Sequence, residues 1–487
     1  MELSEFIREC SKLNVRCAQS LAKKNLDFLI WAAPTASREA EDTIRWQPYY
    51  LKKKIWLKWI YFFSTVFVYA IVGIYRFFSY RGFHYEILKT GSKALLILPV
   101  EVTEGRALQG RSPYKTSYMI ESAGENPVSK IDKLIFSRTE PIGIRRYELT
   151  VYKRIRIFMI LFFTLLGDFF TRITKKESRE AYFDSFAILF QWVITQRWFF
   201  HWDFYHFLRK RCGDGNYKVL VSVHEMSFYT KMIWQVAKEA GLLGVTAQHA
   251  MIYPEKLNFF PEVNEIAAGI PQPDIFFVYS PQMIDLLKPY FPKTQFLLGC
   301  SPRFNRWKDQ KSWLRRCGDV KNLLFVSGVM FYDVTLLLTA IKKLRKADQR
   351  KNLKFWVRFH PDGEMRILDK LSVFWAHKLG KIEISKGHLE ETLKQTSLVL
   401  GSNTTTLQEA ILLGIPTLNI FHEDFLCADV LSLSKDSRIH LNHISLDDIY
   451  ERMKATPDPK LIEDYKAYMG LYHPDFSTDL LYRVCGL

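Results

Sequence analysis

The sequence predicts an α/β chain of two Rossmann-like domains facing a cleft, with an additional helical, aromatic-rich N-terminal region. Three observations carry this. Short apolar runs of strand length recur from residue 218 and alternate with stretches of helical periodicity. The alternation breaks once, at the polar and basic stretch 300–320, and then resumes. At 487 residues the chain is long enough for each domain to bury a core of its own.

Residues 1–89 read as helical, basic and aromatic. Between Lys58 and Arg76 lie 17 uncharged, mostly apolar residues, at the lower end of the roughly 17–25 that a spanning helix needs. Basic residues at 52–58 and 76–81 flank this run, and a second apolar run at 157–170 carries Asp168. Two readings compete for these segments: buried core helices, or helices lying along an anionic membrane surface. The interleaving of Trp, Tyr and Phe with Lys and Arg favours the second. The N-terminus "MELSEFIREC" lacks the apolar centre of a secretory signal.

From Ala94, "ALLILPV" has strand length, 101–145 is polar with short elements, and 150–211 returns to aromatic-rich helices. Strands are then expected at "KVLVSV" (218–223), "GVTAQ" (244–248), "IFFVYS" (275–280) and "QFLLG" (295–299). Beyond the linker they are expected at "NLLFVS" (322–327), "KFWVRF" (354–359), "SLVLG" (397–401) and "PTLNI" (416–420). The resulting division is a membrane-associating region 1–89, an acceptor domain 90–299 with a helical insertion, a linker 300–320 and a ligand-binding domain 321–487.

Composition narrows the classes. Hydrophobic residues make up 48% and aromatics 15%, which excludes a disordered chain. Sixty-eight Lys+Arg against 51 Asp+Glu give +17, which calls for an anionic partner. No Walker-type or G-x-G-x-x-G loop is present, and no zinc-finger or RNA-binding pattern makes that partner a nucleic acid. Seven scattered cysteines without a C-x-x-C pair point away from disulfides and metal sites and towards a reducing compartment.

In parallel sheets ligands bind beyond the carboxyl ends of the strands. Polar residues collect at those ends: Glu225 after the first strand, His249 after the second, and Arg358 with His360 at the end of "KFWVRF". Ser402, Asn403, Thr404, Thr405 and Thr406 follow "SLVLG". The last group reads as an anion cradle, in which backbone N–H groups are supplemented by neutral hydroxyls. The alternative is capping, since Thr406/Glu409 and Thr405/Gln408 have capping-box spacing. His360 reads as a phosphate-facing imidazole. Glu225 is a candidate general base and His249 an alternative base or electrostatic contact, each against an ordinary hydrogen-bonding role. Glu409 stands open between capping partner and ligand contact.

The series "VHE", "AQHA", "VRFHP" and "GSNTTTLQEAILLGIPTL" resembles bacterial two-domain (GT-B) transferases of surface polysaccharide assembly. These include sialyl- and Kdo-type transferases and the CDP-glycerol glycerophosphotransferases. The resemblance implies that His360, Ser402, Thr404 and Thr405 hold the donor's phosphate and that Glu409 contacts the ribose. The family's Gln-His-Gly element falls on Gln248, His249 and Ala250, with alanine replacing glycine. Its acidic motif is met only by Glu225, without the usual following glycine.

The implied activity is metal-independent transfer of a sugar from a nucleotide donor, a CMP-sugar in preference. The acceptor would be a surface polysaccharide or lipid-linked glycan, reached from the cytoplasmic face of the membrane. The donor is a substrate, and no cofactor is expected. Rival expectations are a CDP-alcohol phosphotransferase of teichoic-acid type and a non-catalytic nucleotide- or glycan-binding protein of the same fold.

Overall fold

The computed structural model describes residues 3–37, 55–80, 82–89, 91–99, 131–137, 144–146, 149–172, 179–214, 217–222, 228–248, 251–254, 256–299, 321–328, 330–348, 353–360, 365, 367–386, 389–423, 425, 427–455, 458–473 and 483–486. The expected linker 300–320 lies outside them, as do Glu225 and His249.

The first sheet contains β1 (Phe83–Leu88), β2 (Ala94–Pro99), β3 (Asp132–Ser137), β4 (Ile144–Arg146), β5 (Val219–Ser222), β6 (Leu243–Ala247), β7 (Ile275–Val278) and β8 (Gln295–Leu298), in the order β4-β1-β3-β2-β5-β6-β7-β8. From β3 to β8 neighbouring strands run parallel, with Val221 opposite Val245 and Thr246 opposite Phe276. Such strands are covered on both faces, and every residue of β5 and β7 is buried. β1 is a strand where helix was expected. "FHYEIL" alternates Phe83, Tyr85 and Ile87 against His84 and Glu86, a period of two that suits a strand pairing antiparallel with β3 and β4.

The second sheet is all parallel. It contains β9 (Asn322–Val326), β10 (Lys354–Arg358), β11 (Glu383–Ile384), β12 (Leu398–Gly401), β13 (Thr417–Phe421) and β14 (Arg438–His440), ordered β11-β10-β9-β12-β13-β14. Counted from β9 this is 3-2-1-4-5-6, the order that binds dinucleotides at the point where the winding reverses. Here that point lies between β9 and β12.

One apolar core joins helices Leu3–Ala22, Arg179–Ile194, Trp198–Asp214 and Phe228–Ala240 to the first sheet and extends to Leu324, Val326 and Val399 of the second. Trp192, Trp198 and Trp234 are sealed within it. A second core lies under β9, β10, β12 and β13. The two domains are tied by the chain's return. Helix Pro459–Tyr468 packs on helix Thr406–Leu412, and Met469 and Leu471 are fully buried in the first core. Between them Gly470, at φ 71°, lies so close to the first sheet that a Cβ there would sit 2.5 Å from the Tyr279 carbonyl oxygen. Only glycine meets both demands.

Helix Val151–Arg172 and the 66–79 part of helix Ile55–Ser79 each turn one face inward and one outward. Ile157, Leu161 and Leu165 are buried, whereas Tyr152, Ile155 and Phe163 are exposed, as are Ile71, Ile74, Tyr75 and Phe78. Asp168 pins the second of these helices to helix Leu3–Ala22: Arg16 donates to it twice, at 2.6 and 2.9 Å, and the Tyr182 hydroxyl donates at 2.9 Å. Among the described residues no helix is long and apolar enough to cross a membrane.

Candidate active site

Parallel winding brings the loops after β9, β10 and β12 to one edge of the second sheet, and named contacts lock them together. Ser327, just past β9, accepts a hydrogen bond on Oγ from the His360 backbone N–H at 2.9 Å. Its own N–H donates to the Arg358 carbonyl. Next along, Gly328 is wedged against the loop after β12. A Cβ there would lie 2.7 Å from the Asn403 carbonyl oxygen and would also strike Asp333 Oδ2. Gly401, at the end of β12, is equally confined: a Cβ there would lie 2.8 Å from the Val326 carbonyl oxygen. Two glycines thus let the strands flanking the switch point close on each other.

Asn403 is the hub. It adopts φ 54°, a left-handed conformation that asparagine tolerates better than other residues with a Cβ. Its Nδ2 donates to Asp333 Oδ1 at 2.7 Å, and its Oδ1 accepts from Ala428 N–H at 2.7 Å. Asp333 also accepts from the Met330 N–H at 3.0 Å, which caps helix Phe331–Ala347. Burial pushes the Asp333 carboxyl up to about 7, against the pull of its donors Asn403, Met330 and Ser402. Ser402 is buried, with its hydroxyl also facing Cys427 Sγ at 3.8 Å.

Neither capping box forms. Thr405 occupies the N-cap without a side-chain hydrogen bond, and the Gln408 amide donates to the Val430 carbonyl instead. Thr404 Oγ1 accepts the Thr406 N–H at 3.4 Å, while the N–H groups of 407, 408 and 409 close on the carbonyls of Thr404 and Thr405. Among the described residues, the N–H groups of Thr404 and Thr405 and the Thr405 hydroxyl have no protein partner. Glu409 is fully buried. Burial lowers the Arg358 guanidinium pKa, and the Glu409 charge opposes that shift. Arg358, at the end of β10, thus lies within electrostatic reach of Glu409, in the helix that follows the threonine loop.

Arg358, His360, Ser402, Asn403, Thr404, Thr405 and Glu409 thus belong to one connected edge. Sequence reasoning missed the middle of it: Ser327, Gly328 and Asp333. The available signal was a glycine directly after a buried strand and just before a helix, as in "FVSGVMFYD". In the first domain buried Gln248 directly follows β6, and its Oε1 accepts at 3.0 Å from the N–H of Tyr279, the residue that Gly470 abuts.

At the ends of β13 and β14, His422, Glu423 and His440 lie close enough to suggest metal ligands. Their hydrogen bonds fit a different arrangement. His440 Nδ1 accepts from the Asn442 N–H, which places the ring proton on Nε2, directed at Glu423. The hydrogen-bond pattern is that of an imidazole–carboxylate pair.

No protein-family model matches the chain, and no curated protein matches it. Among solved structures it is similar to MurG of Acinetobacter baumannii, with 8% identity over 81% of this chain and 99% of that chain and a TM-score of 0.37. It is also similar to UDP-GlcNAc 2-epimerase of Methanocaldococcus jannaschii in complex with UDP-GlcNAc and UDP, with 11% identity over 78% and 98% and a TM-score of 0.43. A third likeness is to MnaA of S. aureus with UDP, at 11% identity over 80% and 95% and a TM-score of 0.42. All three are distant.

Proposed function

We propose that this chain is a glycosyltransferase that takes a nucleotide-activated sugar, a CMP-sugar in preference, in the second domain. The observation that carries this reading is the threonine loop 402–406, docked through Asn403 onto Gly328 at the switch point of a 3-2-1-4-5-6 sheet. The N–H groups of Thr404 and Thr405, the Thr405 hydroxyl and the half-buried His360 offer donors to a phosphate without a metal of their own. Arg358, at the end of the neighbouring strand β10, would add a charged donor. Glu225 or His249, from the first domain, would take the acceptor's proton.

The acceptor would be a surface polysaccharide or lipid-linked glycan, met at the inner face of the cytoplasmic membrane. Outward apolar faces on helices Ile55–Ser79 and Val151–Arg172 support membrane contact.

Incubation with CMP-, UDP- and GDP-sugars tests this through release of the free nucleotide. CMP release with sugar transfer is expected. CMP release with phosphodiester formation would move the assignment to alcohol-phosphate transfer, and binding without turnover of any donor would remove the enzymatic reading. His360→Ala should weaken nucleotide binding at least tenfold with the fold intact, because the bond to Ser327 comes from the backbone N–H and survives the change. Unchanged affinity takes His360 out of the site.

A further inference from the structure

We propose that helix Ile367–Lys378 lays its outer face on an anionic lipid surface, giving the second domain a membrane contact of its own. Ile367, Leu368, Leu371, Phe374, Trp375 and Leu379 are each more than half exposed. Their spacing of one, four, seven, eight and twelve residues from Ile367 puts them on one side of the helix. The opposite side holds the helix to its domain: Val373 is buried in the second core, and buried Asp369 accepts from Thr335 Oγ1 at 3.3 Å. An amphipathic helix of a globular domain normally turns its apolar face inward. This one presents a broad apolar face to solvent.

The charges choose the occupant. The helix's one acid, Asp369, points inward, while Lys370, Lys378 and the following Lys381 are exposed. Lys378 Nζ sits 5.8 Å from the Phe374 ring centre and 5.7 Å from that of Trp375. Aromatic bodies with an ammonium at their edge suit the boundary between acyl chains and anionic headgroups. A second copy of the chain is a poorer fit. Twelve residues span about 18 Å, and a stripe about 10 Å wide gives on the order of 200 Å², against the roughly 800 Å² per partner of a stable dimer. Membrane insertion needs no such area from a partner. The inference stands independently of the donor site.

The test uses the full chain with vesicles of phosphatidylcholine alone or with phosphatidylglycerol, read by co-sedimentation and by amide exchange across 367–379. Local exchange separates this helix from the apolar faces of the first domain. Vesicles containing phosphatidylglycerol are expected to slow exchange in 367–379. The combined variant Leu371→Ser, Phe374→Ser, Trp375→Ser should lower partitioning at least tenfold with an unchanged circular dichroism spectrum. Lys370→Gln with Lys378→Gln and Lys381→Gln should reduce binding to the anionic vesicles selectively. Unaltered exchange in 367–379, or wild-type partitioning by the serine variant, overturns the proposal. So does a wild-type dimer that the serine variant converts to monomer, which would assign this face to a second copy.

Discussion

Gly328→Ala tests the junction on which the candidate site rests. The added Cβ would lie 2.7 Å from the Asn403 carbonyl oxygen and 3.0 Å from Asn403 Cβ, where contacts under 3.0 Å force something to shift. From the Asn403 oxygen alone, reaching 3.0 Å takes a retreat of 0.3 Å and an ordinary contact at 3.4 Å takes 0.7 Å against backbone, and the still closer Asp333 Oδ2 must give way further. The same movement stretches the Asn403–Asp333 and Ala428–Asn403 bonds, now 2.7 Å each, towards the weak end of the hydrogen-bond range. Overpacking of this kind costs about 1–3 kcal/mol. Urea denaturation should show that loss, and nucleotide affinity by calorimetry should fall about tenfold for each 1.4 kcal/mol of distortion felt in the loop. Gly167→Ala is the control, since a Cβ there meets nothing within 4 Å. Should Gly328→Ala match wild type in both stability and affinity, the close docking of the β9 and β12 loops is not what shapes the site.

Gly167→Ala itself should stabilise the protein by about 0.5–1 kcal/mol, because Gly167 lies inside helix Val151–Arg172 with room for a methyl group; thermal denaturation reads this. Asp333 should impose a pH dependence. Its folded pKa of about 7 lies above the ordinary 3.8, so its contribution to stability is complete below about 3.8 and disappears as pH rises through about 7, at about 1.4 kcal/mol per unit between. Asp333→Asn should remove that slope in urea titrations at pH 5, 6 and 7, at a cost of about 1–3 kcal/mol from setting an amide NH₂ against the Asn403 or Met330 donor. Asp168→Ala should destabilise by about 2–3 kcal/mol, since Arg16 and Tyr182 lose their shared acceptor in a largely buried setting; Tyr182→Phe should cost less than half as much by the same measurement.

Most strands legible in the sequence are buried runs such as β5, β7 and β12. The edge strand β8 was legible from its apolar run although its residues are partly buried at most. Every expected strand, from Ala94 to the run at 416–420, is present in one of the two sheets, because a parallel sheet demands unbroken apolar runs. Less legible were β1, β3 and β4 at one end of the first sheet and the very short edge strands of the second. β11 has two residues and β14 only "RIH", and both are fixed by pairing partners rather than by composition. The threonine loop was legible from its hydroxyls and its place after a strand. Its partners were not, because Gly328 and Asn403 meet only once the winding sets β9 beside β12. Periodicity marks helix 367–378 as amphipathic, but which way such a face points depends on the neighbour that packs against Val373 and Asp369.

The passage of Gly470 beneath Tyr279 has a topological consequence. Residues 469–471 follow the last strand of the second sheet, yet Gly470 is pressed against Tyr279 of the first domain, so the peptide bond series across 300–320 is not the sole connection between the halves. Cleavage anywhere in that stretch should leave two fragments clasped by the returning tail, co-eluting without denaturant. The same two pieces expressed separately should find each other, and a side chain at Gly470 should weaken that association.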